Sequence, residues 1–191
     1  MQPFLVVSGS LVIRLKTQDC FMKYLLGLVL LFSPFINANE QPINGFGNYY
    51  NVPEHDKINS STVFKIAFDV ADGAKKGEQN NSINSLARFI NMHVAHGVKL
   101  KNIQLALVVH GSASVDVLAN SEYKKRFSAD NKNQALIKQL LANNTQVYVC
   151  GQSATHFKVT PELLIDGVKM SLSAMTAHAQ LQQQGYTLNP F

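Results

Sequence analysis

The run "QVYVCGQSA", residues 146–154, ends a β-branched stretch in Cys150 and follows it with Gly151, Gln152 and Ser153. A cysteine in this setting has two readings. Inside a strand it is a small buried hydrophobe. Where a parallel strand gives way to a loop or helix it is a candidate nucleophile, reactive to the extent that its thiol pKa is lowered. A second apolar run, "NIQLALVVHG" (102–111), ends in His110 and Gly111. If the two runs are adjacent parallel strands, both ends lie on one rim and the imidazole of His110 stands near the thiol. Gly151 would then let the backbone turn sharply, and the N–H groups of Gln152, Ser153 and Ala154 could face the sulfur and favour its thiolate. Asp69 closes a third run, "TVFKIAFDV" (62–70), and with Asp72 reaches the same rim, either to bind a polar ligand or as ordinary acidic turn residues. His156 lies just beyond Cys150 and reads equally as a lining residue or a loop histidine.

Other chemistries are less well supplied. Cys20 and Cys150 are the only cysteines, with no C-x-x-C pair, so a two-cysteine redox motif is excluded. His93 and His96 are three apart on a helix-like segment, but no third ligand accompanies them, and surface or helix-end histidines are the expectation. A Cys150, His110 and His156 metal site is weaker than the thiol reading, and neither a metal nor a cofactor is expected. A cysteine hydrolase needs a group to orient its base, and the sequence offers none convincingly. His178, in the last helical segment, and His55, near the N-terminus, receive no role.

The elements that must hold these residues alternate. After the 62–70 strand comes "NSINSLARFINMHVAHG", with Ile83, Leu86, Ile90 and Val94 at helical spacing and Gly97 as a stop. The 102–111 strand is apolar on both faces, as in a sheet covered on both sides. A polar helical stretch around 115–127, a clearer helix from Asn133 to Asn144, and the 145–150 strand follow. A short helix is expected at Pro161, where Thr160 can cap and proline suits the first turn. A short strand (167–173), a last helix from Ala174 to Gly185 and a terminal strand complete the chain. This alternation predicts an α/β three-layer sandwich with a mostly parallel, roughly five-stranded sheet and right-handed crossovers.

The N-terminus has a different character. From Met22 the sequence "MKYLLGLVLLFSPFINANE" has a basic start, a short apolar core, Pro34 and small residues near Ala38. This is the layout of a secretory signal peptide over 22–38, and its core is short for a span of ~20 residues; an uncleaved anchor is the alternative. Residues 1–21 then read as a gene-start artefact or an extended n-region. Residues 39–60 carry Gly45, Gly47, Pro42 and Pro53 without periodicity and read as a flexible N-terminal arm, ahead of the folded domain at 61–191. Cleavage after Ala38 would leave Cys150 as the sole cysteine, excluding an internal disulfide. It would also remove Arg14, Lys16 and Lys23 against Asp19, lowering the formal charge from +5 to about +3. A periplasmic or secreted location and no stable membrane span in the mature form follow. The 191 residues, 46% hydrophobic and 15% charged, suffice for one well-packed domain. The sequence pI is about 9.2, yet its basic clusters are only Lys75-Lys76 and Lys124-Lys125-Arg126, without interleaved aromatics, so no nucleic-acid partner is expected.

The "VVHG" and "CGQS" strand ends, the helix "NQALIKQLL" before the latter, and the closing "LQQQGYTLNPF" together resemble the DsrE/DsrF-like family in an exported form. The resemblance runs from about residue 62 to 191. It implies a compact parallel α/β sandwich, often assembled as a homo-oligomer (trimer or hexamer), and a sulfur relay in which one cysteine holds a persulfide. That cysteine corresponds to Cys150, and His110 matches a histidine-glycine motif. A sulfur donor or acceptor, either a protein or a small sulfur species, is the implied partner. The alternative is a non-catalytic oligomeric binding or scaffold protein of the same fold, with Cys150 packed and inert.

Overall fold

The computed structural model describes residues 41–189; the segments 1–21 and 22–38 discussed above lie outside them. Five strands make one sheet: β1 (Phe64–Val70), β2 (Ile103–Val109), β3 (Gln146–Cys150), β4 (Lys169–Ser171) and β5 (Thr187–Asn189). Their order is β4-β3-β2-β1-β5 and every neighbouring pair is parallel. The helices are α1 (Asn81–Ala95), α2 (Asn120–Phe127), α3 (Asn133–Ala142), α4 (Gly151–His156) and α5 (Ala174–Gln183). This is the expected α/β architecture with a five-stranded parallel sheet. Among the described residues, no helix is long and apolar enough to cross a membrane.

Strand periodicity divides the sheet into two unlike faces, because successive side chains alternate. Phe68 and Val70 of β1, with Leu105, Leu107 and Val109 of β2, pack against Ile83, Leu86 and Ile90 of α1 and Leu136, Ile137 and Leu140 of α3. Each fully buried aliphatic side chain of this kind contributes about 1.5–3 kcal/mol, so this face carries most of the hydrophobic stabilisation. The opposite face sets Ala67, Ala106 and Val108 against Ala177 and Leu181 of α5 and Tyr186. Small residues there let α5 lie close to the sheet.

Register decides what meets at the strand ends. Val70 pairs with Val109, Val109 with Val149, and Cys150 with Ser171, so His110 and Cys150 leave adjacent strands side by side. The connection after β1 is fastened to the one after β2: the Ser112 hydroxyl accepts from the Gly73 N–H at 2.8 Å. Buried Asp116 accepts from the Ala74 N–H at 3.0 Å and from Asn80 Nδ2 at 2.7 Å. Asn80 in turn caps α1, accepting from the Ser82 and Ile83 N–H groups at 2.9 and 3.3 Å.

Three expectations need correction. The stretch 115–127 is not one helix: a 3-10 turn covers Gly111–Val115, and α2 begins only at Asn120. At Pro161 there is a single 3-10 turn, Pro161–Leu163, with no cap bond from Thr160, because the Leu163 carbonyl accepts from Ala119 N–H at 2.8 Å and Leu164 bridges Leu118. Of the segment read as a flexible arm, residues 41–48 are pinned to this chain's own helices. Ile43 is fully buried, and Asn91 of α1 holds it from both sides, Oδ1 accepting from the Ile43 N–H at 3.0 Å and Nδ2 donating to the Ile43 carbonyl at 2.9 Å. Gln139 of α3 makes the same reciprocal pair with Asn44, at 2.8 and 3.0 Å. Local patterning could not reveal this, because side-chain amides on distant helices, rather than periodicity, satisfy the arm's backbone.

Candidate functional site

Cys150 is the last residue of β3 and the N-cap of α4. It is 5% exposed and lines a cavity of about 470 Å³ with Asp69, His110, Gln152, Ser173, Ala174, Met175, His178 and Leu188. Burial alone would push the thiol up. The N–H and hydroxyl of Ser153 and the N–H groups of Ala174 and Gln152 hydrogen-bond to it, outweigh burial, and hold it below its ordinary value. Two of these three amides come from the first turn of α4. The third comes from α5, where Ser173 caps the helix by accepting from the Thr176 N–H at 3.0 Å. The expected Ala154 amide is thus replaced by that of Ala174, a residue distant in sequence.

The backbone can approach this closely only with glycine at two positions. A Cβ on Gly151 would stand 2.7 Å from the Ser171 carbonyl oxygen. Gly111 has φ +51° and a Cβ there would meet the Ala71 carbonyl oxygen at 2.8 Å. The Gly111 N–H donates to the Ser153 hydroxyl oxygen at 3.0 Å, which leaves that hydroxyl's proton for the sulfur. Gly111, Ser153 and Cys150 therefore form one short chain of donors ending at the thiol.

Across the cavity stands a cluster that the sequence reading only half contained. The Asp69 carboxylate accepts from His110 Nε2 at 3.0 Å through Oδ2 and from His178 Nε2 at 2.7 Å through Oδ1. Burial raises the Asp69 carboxyl, but its bonds to the two histidines and their charge outweigh this and hold it below the ordinary carboxylate value. Asp69 thus supplies the orienting carboxylate missing from the sequence reading. His178 is the residue that reading missed. A signal was present: Ala174, Ala177, His178 and Leu181 form one helical stripe of α5. Asp69 lies two residues beyond Ala67 on the sheet face that α5 covers, and His110 two beyond Val108.

The remaining candidates are placed as follows. Gln152 lines the cavity, its Nε2 donating to the Leu172 carbonyl at 3.3 Å. His156 does not join the site. It ends α4 and lines a separate hollow with Val115, Arg126, Phe127, Phe157 and Lys158. Asp72 lines another, beside Gly73 and Asn80. His110 bonds to Asp69, and the groups that lower the Cys150 thiol are amides and a hydroxyl. His93 and His96 each direct Nδ1 to the carbonyl four residues back, Phe89 and Met92, both at 2.7 Å. Among the described residues, no group of three or more His, Cys, Asp or Glu side chains is arranged to hold a metal ion.

Comparison with known proteins gives the chain its relatives. It is similar to the solved structure of a protein of unknown function, MTH1491, from Methanobacterium thermoautotrophicum, with 14% identity and a TM-score of 0.49 over 67% of this chain and 99% of that one. It is also similar to the ychN protein from E. coli, with 23% identity and a TM-score of 0.48 over 67% of this chain and 100% of that one. No curated protein matches it. The sequence pattern of the DsrE/DsrF-like family matches residues 65–190, from the start of β1 past β5 and through every element of the site. The chain belongs to the DsrE/DsrF-like family.

Proposed function

We propose that this protein is a sulfane-sulfur carrier of sulfurtransferase type, in which Cys150 takes up one sulfur atom as a persulfide and passes it to an acceptor. Family membership supports a sulfur-related role. The observation that carries the chemistry is the convergence of the Ser153, Ala174 and Gln152 N–H groups and the Ser153 hydroxyl on one thiol. In acyl-transfer enzymes such donors address an oxyanion beside the nucleophile; here they address the sulfur itself. That arrangement stabilises a thiolate and equally the anion of a persulfide. The adjoining cavity has room for an added sulfur and a small donor. The signal-like segment 22–38 supports export, and the family resemblance supports a homo-oligomer; both belong to the same proposal.

The test is the rate of Cys150 alkylation against pH on the native protein and, on a separate unlabelled sample, incubation with a small persulfide, both read by mass at the Cys150 peptide so that Cys20 does not contribute. The expected result is rapid labelling with a midpoint below the free-thiol value of ~8.5 and a mass gain of one sulfur, both lost in Cys150→Ser. Labelling only after denaturation would assign Cys150 to the core and hand the function to the scaffold reading.

A further inference from the structure

The two histidines on Asp69 are not equivalent. Asp69 is held ionised at neutral pH by its partners, and an ionised carboxylate offers only acceptors. Each Nε2 that meets it must therefore carry a proton, which leaves Nδ1 of either neutral ring bare. His178 makes the shorter bond, 2.7 Å against 3.0 Å, and its side chain is 15% exposed against 31% for His110. Nδ1 of His178 is buried with no hydrogen-bond partner, so no group of the protein hands it a proton or takes one. The more open His110 is the ring of the pair that can work.

We infer that His178 is a positioning residue for sulfur transfer at Cys150: by gripping one oxygen of Asp69 it fixes the other oxygen on His110, and so locks His110 in the tautomer whose bare Nδ1 can hold a proton. This rests on the persulfide reading for its chemistry but not for its geometry. The step it serves is balanced. Cys150 gives up its thiol proton, which His110 Nδ1 holds. The thiolate attacks the outer sulfur of a donor R–S–SH, forming the new S–S bond as the donor's S–S bond breaks. The electron pair leaves on R–S⁻, which takes the proton from His110 to become R–SH. The products are Cys150–S–SH and R–SH, with no net oxidation and no other reactant. A base held in one tautomer by a carboxylate is the general device for such proton handling. Here the carboxylate is itself held by a second imidazole.

The experiment uses the full chain in three forms: wild type, His178→Phe and His178→Gln, the last keeping an amide N–H to offer Asp69. Long-range ¹H–¹⁵N spectra of the imidazoles read the tautomers directly. In wild type, both His110 and His178 are expected as Nε2–H, and in His178→Phe the His110 signal becomes a mixture. Stopped-flow loading with glutathione persulfide is expected to slow by up to about 100-fold in His178→Phe, the scale of a misplaced reacting group. In His178→Gln it should recover to within several-fold of wild type. The pH midpoint of Cys150 alkylation should stay put in both variants, because amides set it; a merely structural role would move it. An Nδ1–H tautomer at His110 in wild type overturns the inference, as does equal loading by wild type and His178→Phe, or equal loss in both variants. If His178→Phe fails to fold, the wild-type tautomers and His178→Gln still decide. If wild type takes up no sulfur, the persulfide reading fails by itself, and the spectra alone decide the role of His178.

Discussion

The two faces of the sheet are built to different rules. Against α1 and α3, β1 and β2 present Phe68, Val70, Leu105, Leu107 and Val109, a thick layer that large aliphatic side chains of both helices interlock with. Against α5 they present Ala67, Ala106 and Val108, meeting Ala177 and Leu181. The thick face excludes water and has no use for a polar atom near its centre. The thin face brings α5 close enough that, at the strands' carboxyl ends, the same small-residue register continues into Asp69 and His110. There α5 supplies the Ala174 N–H and His178 from its first turns. Stability is concentrated on one side and chemistry on the other, and the single-residue parity of β1 and β2 separates them.

Substitutions on the two faces should therefore have different signatures. Leu105→Ala opens a cavity in the thick layer and is expected to cost about 2–5 kcal/mol, read from denaturant midpoints, while the pH midpoint of Cys150 labelling stays unchanged in the folded fraction. Its neighbour faces the other way. Ala106→Leu overpacks the thin layer and is expected to cost about 1–3 kcal/mol. Because the added volume lifts α5, it should also raise the thiol midpoint by withdrawing the Ala174 N–H. If Ala106→Leu leaves the thiol untouched, the claim that α5 proximity assembles the site fails.

A pH titration of stability sharpens the contrast by separating two carboxylates. Asp69 has its folded-state pKa depressed below the ordinary 3.8, so its contribution is fully present above that value and is lost as pH falls through the folded pKa. Asp116 is fully buried, and burial raises its pKa above 3.8 despite bonds from Asn80 and Ala74. Its proton is bound more tightly in the folded state, so its opposition to folding sets in as pH rises through 3.8 and levels off above the folded-state pKa. Asp69→Asn should therefore be destabilising at neutral pH, with the deficit shrinking as the solution is acidified towards and below pH 3.8. Chemical denaturation at several pH values measures it. A deficit that grows as pH falls below 3.8 would mean that the histidines do not hold Asp69 ionised.

Much of this was legible in the sequence, for physical reasons. The doubly apolar β2 and the i, i+3, i+4 stripes of α1 and α3 report directly on burial, and burial of that kind admits few architectures. His110 and Cys150 were legible as neighbours because both close parallel strands. The meeting of Asp69 with His178 was not, since it depends on which sheet face α5 covers, a tertiary fact that only the parity of Ala67, Ala106 and Ala177 hints at. The docking of residues 41–48 was hidden more deeply. Its bonds run to Asn84, Arg88, Asn91 and Gln139 side chains, residues that in sequence look like ordinary polar helix surface.

The smallest expected effect is the most specific. Ser153 serves the thiol twice, through its N–H and its hydroxyl, and the hydroxyl oxygen is occupied by the Gly111 N–H at 3.0 Å. Ser153→Ala removes the hydroxyl alone. The backbone N–H groups of Ser153, Gln152 and Ala174 remain, so the thiol midpoint should rise towards its ordinary value without reaching it. The Gly111 N–H, which is half-buried, loses its acceptor, at a cost below the ~1–3 kcal/mol of a fully buried donor left unpaired, because water can replace the hydroxyl. Ser153→Thr is the control: threonine keeps the hydroxyl and should hold the midpoint near wild type. A midpoint unchanged in Ser153→Ala would place the whole effect on the backbone amides, making the thiol's environment a property of the β3–α4 turn and the α5 cap rather than of any side chain around it.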